Sequence, residues 1–217
     1  KNYREGGLFI LLFESLNLEP EKEERIVNAA TKVFAENGYL NASTNEIVKE
    51  AKISKGLLFH YFKSKKHLYL ALFEKLSDMF TERIYERIDW KEKDILQMIR
   101  QVTLIKFEFL TVYPEMINFL NRAYGEDSPE VVDDIKDKRE KLTEDVFSKL
   151  FTNIDLTNYK ENIDPNKANE VIFWTFEGFA NRQQEKVKTI SVDEIDLENI
   201  LEEIDGYIEL LKNAFYK

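Results

Sequence analysis

The stretch Ser43-Thr44-Asn45-Glu46-Ile47-Val48-Lys49-Glu50-Ala51-Lys52-Ile53-Ser54-Lys55-Gly56-Leu57-Leu58-Phe59-His60-Tyr61-Phe62-Lys63 decides the fold. It reads as two short helices, one over 44–51 and one over 55–61, joined by a tight turn. Ser43 stands as an N-cap with Glu46 three residues on, the pattern of a capping box. Ser54 stands as the N-cap of the second helix. Ile47, Ala51, Leu58 and Phe62 fall on the faces that can form a small shared core. Upstream, Ile26, Ala30, Val33 and Phe34 repeat at helical spacing over 21–37, and Gly38 is expected to close that helix as a left-handed cap. Downstream, Leu68, Leu72 and Leu76 mark a long helix from Ser64 to about Ile88. Two short helices between two longer ones are the pattern of a helix-turn-helix.

Such a motif reads DNA by placing the N-terminal end of its second helix in the major groove, with phosphate donors around it. Ser54 caps that end and is within reach of DNA. Lys55 projects from the first turn. Gly56 carries no side chain, which permits close approach, and its helix penalty of roughly 1 kcal/mol makes packing alone a poor reason for it. His60 and Tyr61 suit a base edge and a phosphate oxygen. Ser43, Thr44, Lys65 and Lys66 lie at helix starts, where free N–H groups favour anions.

Charge agrees with this placement. The chain of 217 residues has a formal net charge of -10. Residues 21–69 nevertheless carry nine Lys/Arg against six Asp/Glu, so a locally basic segment sits on an acidic chain. From charge alone a solvated charged face explains this equally well. There is no cysteine, which excludes disulfides, thiolate metal sites and a catalytic thiol. The only histidines are His60 and His67. No nucleophile–base pair, phosphate loop or metal-ligand spacing is found, so neither an enzyme nor a cofactor or metal is expected. No apolar run approaches the ~20 residues of a membrane helix, and the expected location is cytoplasmic. The longest run, Leu8 to Phe13, lies in an N-terminal extension (1–20) of unknown role.

Sparse glycine and proline with sustained helical periodicity predict an all-α chain of about nine helices. Pro20, Pro114, Pro129 and Pro165 stand where helices can begin, with Ser128 and Asp164 as caps. Further helices are expected near 91–113, 114–124, 129–153, 165–188 and 196–216. The stretch Val102–Tyr113 is rich in strand formers but continues a helical pattern.

Gly38-Tyr39, Ala42 to Val48, Ala51 to Gly56 and Phe59 to Lys65 closely resemble the DNA-binding domain of the TetR family of bacterial repressors, including its multidrug-sensing members. The resemblance covers roughly residues 21–69. It implies a head over 21–69 and a helical ligand-binding and dimerisation domain over 70–217. Three positions depart from the family pattern. Ala42 replaces a usual threonine, Lys52 a usual glycine in the turn, and Leu57 a usual small residue. A left-handed Lys52 would cost about 1 kcal/mol, unless the turn differs. Leu57 either touches a thymine methyl or faces the protein.

Two helices of the larger domain are apolar on more than one side. Ile172, Phe176 and Phe179 on one and Ile204, Ile208 and Leu211 on the other are expected to form a four-helix dimer interface, the alternative being a monomeric core. Phe107, Glu108, Phe119, Tyr124, Phe147, Trp174 and Glu177 are the candidate pocket residues, with plain core, or a structural pairing of Glu177 and Arg182, as the alternative. The expectation is a homodimeric repressor on a palindromic double-stranded operator, released by a small lipophilic molecule. An activator of the same fold, or a helical carrier or interaction protein without DNA binding, is the alternative.

Overall fold

The computed structural model describes residues 18–187 and 196–217, apart from the side chains of Thr111, Phe147 and residues 184–187. The extension expected over 1–20 therefore lies almost entirely outside the described residues. Nine α-helices follow in order among them: α1 (Pro20–Asn41), α2 (Thr44–Glu50), α3 (Lys55–Phe62), α4 (Lys65–Arg87), α5 (Ile95–Val112), α6 (Pro114–Tyr124), α7 (Val132–Phe151), α8 (Pro165–Val187) and α9 (Leu197–Phe215). A 3-10 turn spans Leu156–Asn158, and a single antiparallel bridge pairs Tyr159 with Tyr216. The fold is all-α, and Val102–Val112 is helical despite its strand-forming composition.

Three helix boundaries differ from the sequence reading, each for a local reason. α1 runs on to Asn41 across a kink at Gly38, whose φ of 70° and ψ of -179° are not those of a left-handed cap. α5 begins at Ile95 because Asp94 accepts the Leu96 N–H at 2.9 Å, while Glu92 takes the N–H groups of Lys93 and Asp94. α7 begins at Val132, after a turn in which Ser128 O accepts from Val131 and Val132. Pro20, Pro114 and Pro165 do open helices, and Asp164 caps α8 by accepting the Asn166 N–H at 2.9 Å.

The chain divides into two compact units. The first holds the described residues to Arg83 and residues 109–143. Its core contains the expected face of α1 (Ile26, Ala30, Val33, Phe34) and the expected leucines of α4, all nearly inaccessible. Aromatic rings join three helices: Tyr69 of α4 meets Phe34 of α1 edge-on at 4.8 Å and Phe119 of α6 at 5.5 Å. Edge-to-face pairs add stabilisation of roughly 0.5–1.5 kcal/mol each beyond the apolar area they bury.

The second unit holds residues 84–108 and 144–217. Ile95, Leu96, Ile172, Ile204, Ile208 and Leu211 fill its core. Arg100 binds Asp205 through two bonds, Nε to Oδ1 at 2.7 Å and Nη2 to Oδ2 at 3.0 Å. The chain end is fastened by backbone bonds from Lys160 to Phe215 and from Lys217 to Asn158, and by the Tyr216 hydroxyl donating to Asp94 at 2.9 Å.

Candidate nucleic-acid interface

α2 and α3 are only 7 and 8 residues long. Isolated helices of that length do not persist in water, so their geometry comes from caps and from the helices around them. Ile47, Ala51, Leu58 and Phe62 are buried together as expected.

The turn between α2 and α3 explains the unusual lysine. Ile53 N–H donates to Val48 O at 3.0 Å and Lys52 N–H to Lys49 O at 3.2 Å. That bond pair is a Schellman motif, which requires a left-handed residue at the position Lys52 occupies. Lys52 indeed has a φ of 54°. The turn is thus of the form that favours glycine, and the chain carries the strain with a lysine. Lys63, after α3, is also at positive φ, 61°, and its ammonium donates to His60 O at 2.8 Å.

At the start of α3, Ser54 Oγ accepts the Leu57 N–H at 3.1 Å. The capping box at α2 does not close: Ser43 has extended dihedrals but its side chain makes no cap bond. Its hydroxyl stays exposed, and the helix start is held instead by Ile47 N–H donating to the Ser43 carbonyl at 3.1 Å. Ser64, not singled out from sequence, caps α4 by accepting the His67 N–H at 3.1 Å.

Four candidate DNA residues, Ser54 to Leu57, form the start of α3, while His60 and Tyr61 lie in its last turn. Ser43, Ser54, Lys55, Gly56 and His60 are exposed, and Thr44, Leu57, Tyr61 and Lys65 are half-buried. Gly56 has open space beside it, with Ser54 Oγ 4.0 Å away as the nearest group to a would-be Cβ. Lys55 is braced by a 2.9 Å bond to Asn45 Oδ1 of α2 and lies 5.9 Å from the Phe59 ring centroid. His60 and Tyr61 meet edge-to-face at 5.0 Å. Asn45 was not among the candidates; its position one residue into α2, facing the start of α3, becomes visible only once the turn is formed.

Two of the basic residues have other duties. Lys65 donates to Leu40 O at 3.1 Å and Ala42 O at 3.3 Å, and its ammonium lies 4.7 Å from the Tyr39 ring centroid. Lys66 pairs with Asp134 at 2.8 Å. Ala42, where the TetR-family pattern has a threonine, is 5% exposed and has no group to offer a phosphate. The head is braced from α1 by Arg25 Nε donating to Ala51 O at 3.1 Å and by a Lys32–Glu50 ion pair at 2.9 Å. Within that pair Lys32 holds the Glu50 carboxyl below its ordinary pKa.

The candidate pocket residues fall in both units. Phe119 is wholly buried in the aromatic core of the first unit. Tyr124, in the same unit, is half-buried and meets Phe73 edge-on at 5.6 Å. One turn after Phe73, the Ser77 hydroxyl is buried beside Tyr124. In the second unit Phe107 is half-buried. Glu108, expected amid apolar neighbours, is exposed and ion-paired with Arg87. Trp174 is 59% exposed, and Glu177 is exposed beside it on α8. Arg182 pairs with Glu203 of α9 at 2.5 Å rather than with Glu177. The Phe147 side chain lies outside the described set.

The candidate dimer residues also fall differently from expectation. Ile172, Phe179, Ile204, Ile208 and Leu211 are buried within their own unit, and Phe176 is half-buried. What α8 and α9 leave accessible is Val171, Trp174 and Leu210. Gly178 and Gly206, on the same two helices, have nothing within 4 Å of a would-be Cβ. Periodicity identifies an apolar stripe but not its partner, and the stripes of these helices are used by the protomer itself.

An all-α chain whose helix-turn-helix exposes the start of its second helix defines a class of DNA-binding regulators, and comparison with known proteins agrees. Residues 26–72 match the model for bacterial regulatory proteins of the tetR family. The fatty acid metabolism regulator protein of Bacillus subtilis is 39% identical over 72 residues, which are 33% of this chain and 36% of that protein. The chain spans about a third or less of the length of the first curated relatives it matches. Solved structures extend the likeness in fold to nearly the whole chain. A TetR family transcriptional regulator from Chloroflexus aurantiacus superposes with a TM-score of 0.63 at 21% identity, covering 94% of this chain and 98% of that one. The regulator FadR from Bacillus subtilis, in complex with stearoyl-CoA, superposes at 0.56 with 22% identity, covering 86% of this chain and 96% of that one. Residues 26–72 thus resemble the tetR family in sequence, and the fold of nearly the whole chain is similar to that of solved TetR-family regulators.

Proposed function

We propose that the chain is a homodimeric, ligand-responsive DNA-binding repressor. One observation carries the reading: α3 exposes Ser54, Lys55 and Gly56 at its start and His60 in its last turn, held by a capped helix and a fixed turn. Lys55 and His60 read base edges in the major groove, and Gly56 lets the backbone approach. Ser43, Thr44 and Tyr61 bind phosphates, with Lys65 adding its remaining N–H. Leu57 touches a base-edge methyl with the part of its side chain that is accessible.

The dimer interface is formed by the face of α8 and α9 that carries Val171, Trp174, Gly178, Gly206 and Leu210. Open glycines beside accessible apolar groups let helices pack closely. A twofold pair then places two heads on a palindromic operator.

The effector is a small lipophilic molecule. The abundance of rings and the buried polar pair of Ser77 and Tyr124 support a site in the first unit. FadR with stearoyl-CoA makes a long acyl thioester the first probe. In this reading the ligand lowers operator affinity by changing the presentation of the heads.

The test begins with duplex DNA selected from a random library by the full chain. Lys55→Ala and Tyr61→Phe are each expected to weaken binding to the selected duplex by about tenfold or more, the loss of one good base or phosphate contact. Unchanged affinity in both would sink the assignment, and failure of the wild type to select any duplex would favour a carrier.

A further inference from the structure

Tyr39 is not among the residues expected to meet DNA, yet hydrogen bonds and ring contacts hold it to the α6–α7 connection and to α4. The kink at Gly38 directs the Tyr39 N–H to Glu126 Oε2 at 2.9 Å. The other oxygen of Glu126 accepts the Ser128 N–H at 3.1 Å, so the carboxylate is fixed at both ends. The Tyr39 hydroxyl donates to Glu130 Oε2 at 2.5 Å. Its ring meets Tyr69 edge-on at 5.1 Å and takes the Lys65 ammonium on its face. Lys65 in turn holds the carbonyls of Leu40 and Ala42, the last residues before Ser43. Arg122 packs against the kink: a Cβ on Gly38 would lie 3.0 Å from its Nε.

We propose that Tyr39 is the hub of a latch, in which Glu126 and Glu130 of the α6–α7 connection fix the end of α1 and so set the presentation of α2. The two carboxylates hold the backbone and hydroxyl of Tyr39, and Lys65 joins its ring to the carbonyls of Leu40 and Ala42, just ahead of Ser43 and Thr44. A displacement of the α6–α7 connection therefore reaches the start of α2 through two hydrogen bonds and one cation–ring contact. The inference is conformational and stands on contacts within the first unit; only its consequence for DNA rests on the function proposed above.

The test uses Tyr39→Phe, Glu130→Gln and the double variant in the full chain. Phenylalanine keeps the ring contacts, so the core is retained. Each single change is expected to speed amide hydrogen exchange over 40–47 by about tenfold, the low end for losing a hydrogen bond to a charged acceptor. The double variant is expected to match Tyr39→Phe, because without the hydroxyl the change at Glu130 has no bond to weaken. Unchanged exchange, or effects that add, would overturn the latch. Affinity for the duplex selected by the wild type should fall in parallel. Faster exchange with unaltered affinity would overturn the link to DNA presentation. Faster exchange in a protein that selects no duplex would support the latch while removing the proposed DNA function.

Discussion

Gly38 offers the sharpest single test of the fold. Its φ of 70° with ψ of -179° lies in a region open essentially to glycine alone. Forcing Ala there costs about 1–3 kcal/mol in backbone strain. Alanine also restricts the unfolded chain, which returns about 0.4–1 kcal/mol. The new Cβ meets Arg122 Nε at 3.0 Å and Nη2 at 3.3 Å, but these end a flexible side chain that can move aside. The net expectation for Gly38→Ala is a loss of about 1–2 kcal/mol, with strain the dominant contribution. For a chain of this size that is a fall in melting temperature of roughly 2–8 °C. Gly38→Asn separates the observed geometry from the helix cap expected from sequence. Asparagine tolerates a left-handed cap, whose ψ is near +47°, but gains nothing at ψ near 180°. It should melt no higher than the alanine variant. Thermal melts followed by helical circular dichroism measure both. Wild-type stability in the alanine variant, or recovery by asparagine alone, would refute the geometry.

The two serine caps should separate cleanly in denaturant titrations. Ser54→Ala removes an observed cap bond and should cost about 1 kcal/mol, whereas Ser43→Ala removes none and should fall within about 0.5 kcal/mol of wild type. Trp174→Glu puts a charge on the proposed dimer face, and sedimentation should show monomer at concentrations where the wild type pairs; an unaltered dimer would move the interface elsewhere. The Arg100–Asp205 pair makes a pH prediction. The Arg100 guanidinium holds the Asp205 carboxyl below its ordinary value, so the pair stabilises the fold above the ordinary aspartate pKa of about 3.9 and loses this as pH falls toward the lower, folded value. Both side chains are more than a third exposed, which limits the pair to about 1 kcal/mol or less. Melting of Arg100→Ala should trail the wild type at neutral pH and converge with it as pH drops below about 4, and a gap that persists in acid would refute the assignment.

Where interactions are local, the sequence was a sufficient guide. Helical periodicity picked out Ile26, Val33, Leu68 and Leu72, because an apolar face repeating every 3.6 residues marks the side of a helix that is buried, whatever covers it. Ser54 and Asp164 declared their helix starts because a cap needs only the next three residues. Lys52 declared its strain through the turn it occupies. Partners distant in the chain were not legible. Tyr39 meets Glu126 and Glu130 across separations of 87 and 91 residues, and no local pattern encodes them. The same limit applies to the dimer and pocket candidates. Ile204 and Ile208 lie on an apolar stripe whether it faces the protomer or its copy, and Glu108 among apolar neighbours in sequence has Arg87 beside it in space. Gly38 was legible as a break but not in its ψ, since that angle depends on what Arg122 and Glu126 offer across the gap.

The head's attachments bear on how it responds. Its two short helices share a small core, and four polar links hold them in place: Arg25 to Ala51, Lys32 to Glu50, Lys55 to Asn45 and Lys65 to Ala42. Each depends on a long, flexible cation. Lys32–Glu50 and Lys55–Asn45 are exposed, where such contacts contribute little individually. By contrast, the aromatic cluster of Phe34, Tyr69 and Phe119 behind them is buried and interlocked. A close-packed core resists small deformations, while a set of weak polar links yields to them. A force on the α6–α7 connection would therefore be taken up not in the rings but at the junction they abut, residues 39–44. That junction carries Ser43 and Thr44, so a response built there would act first on phosphate contacts and leave the start of α3 intact.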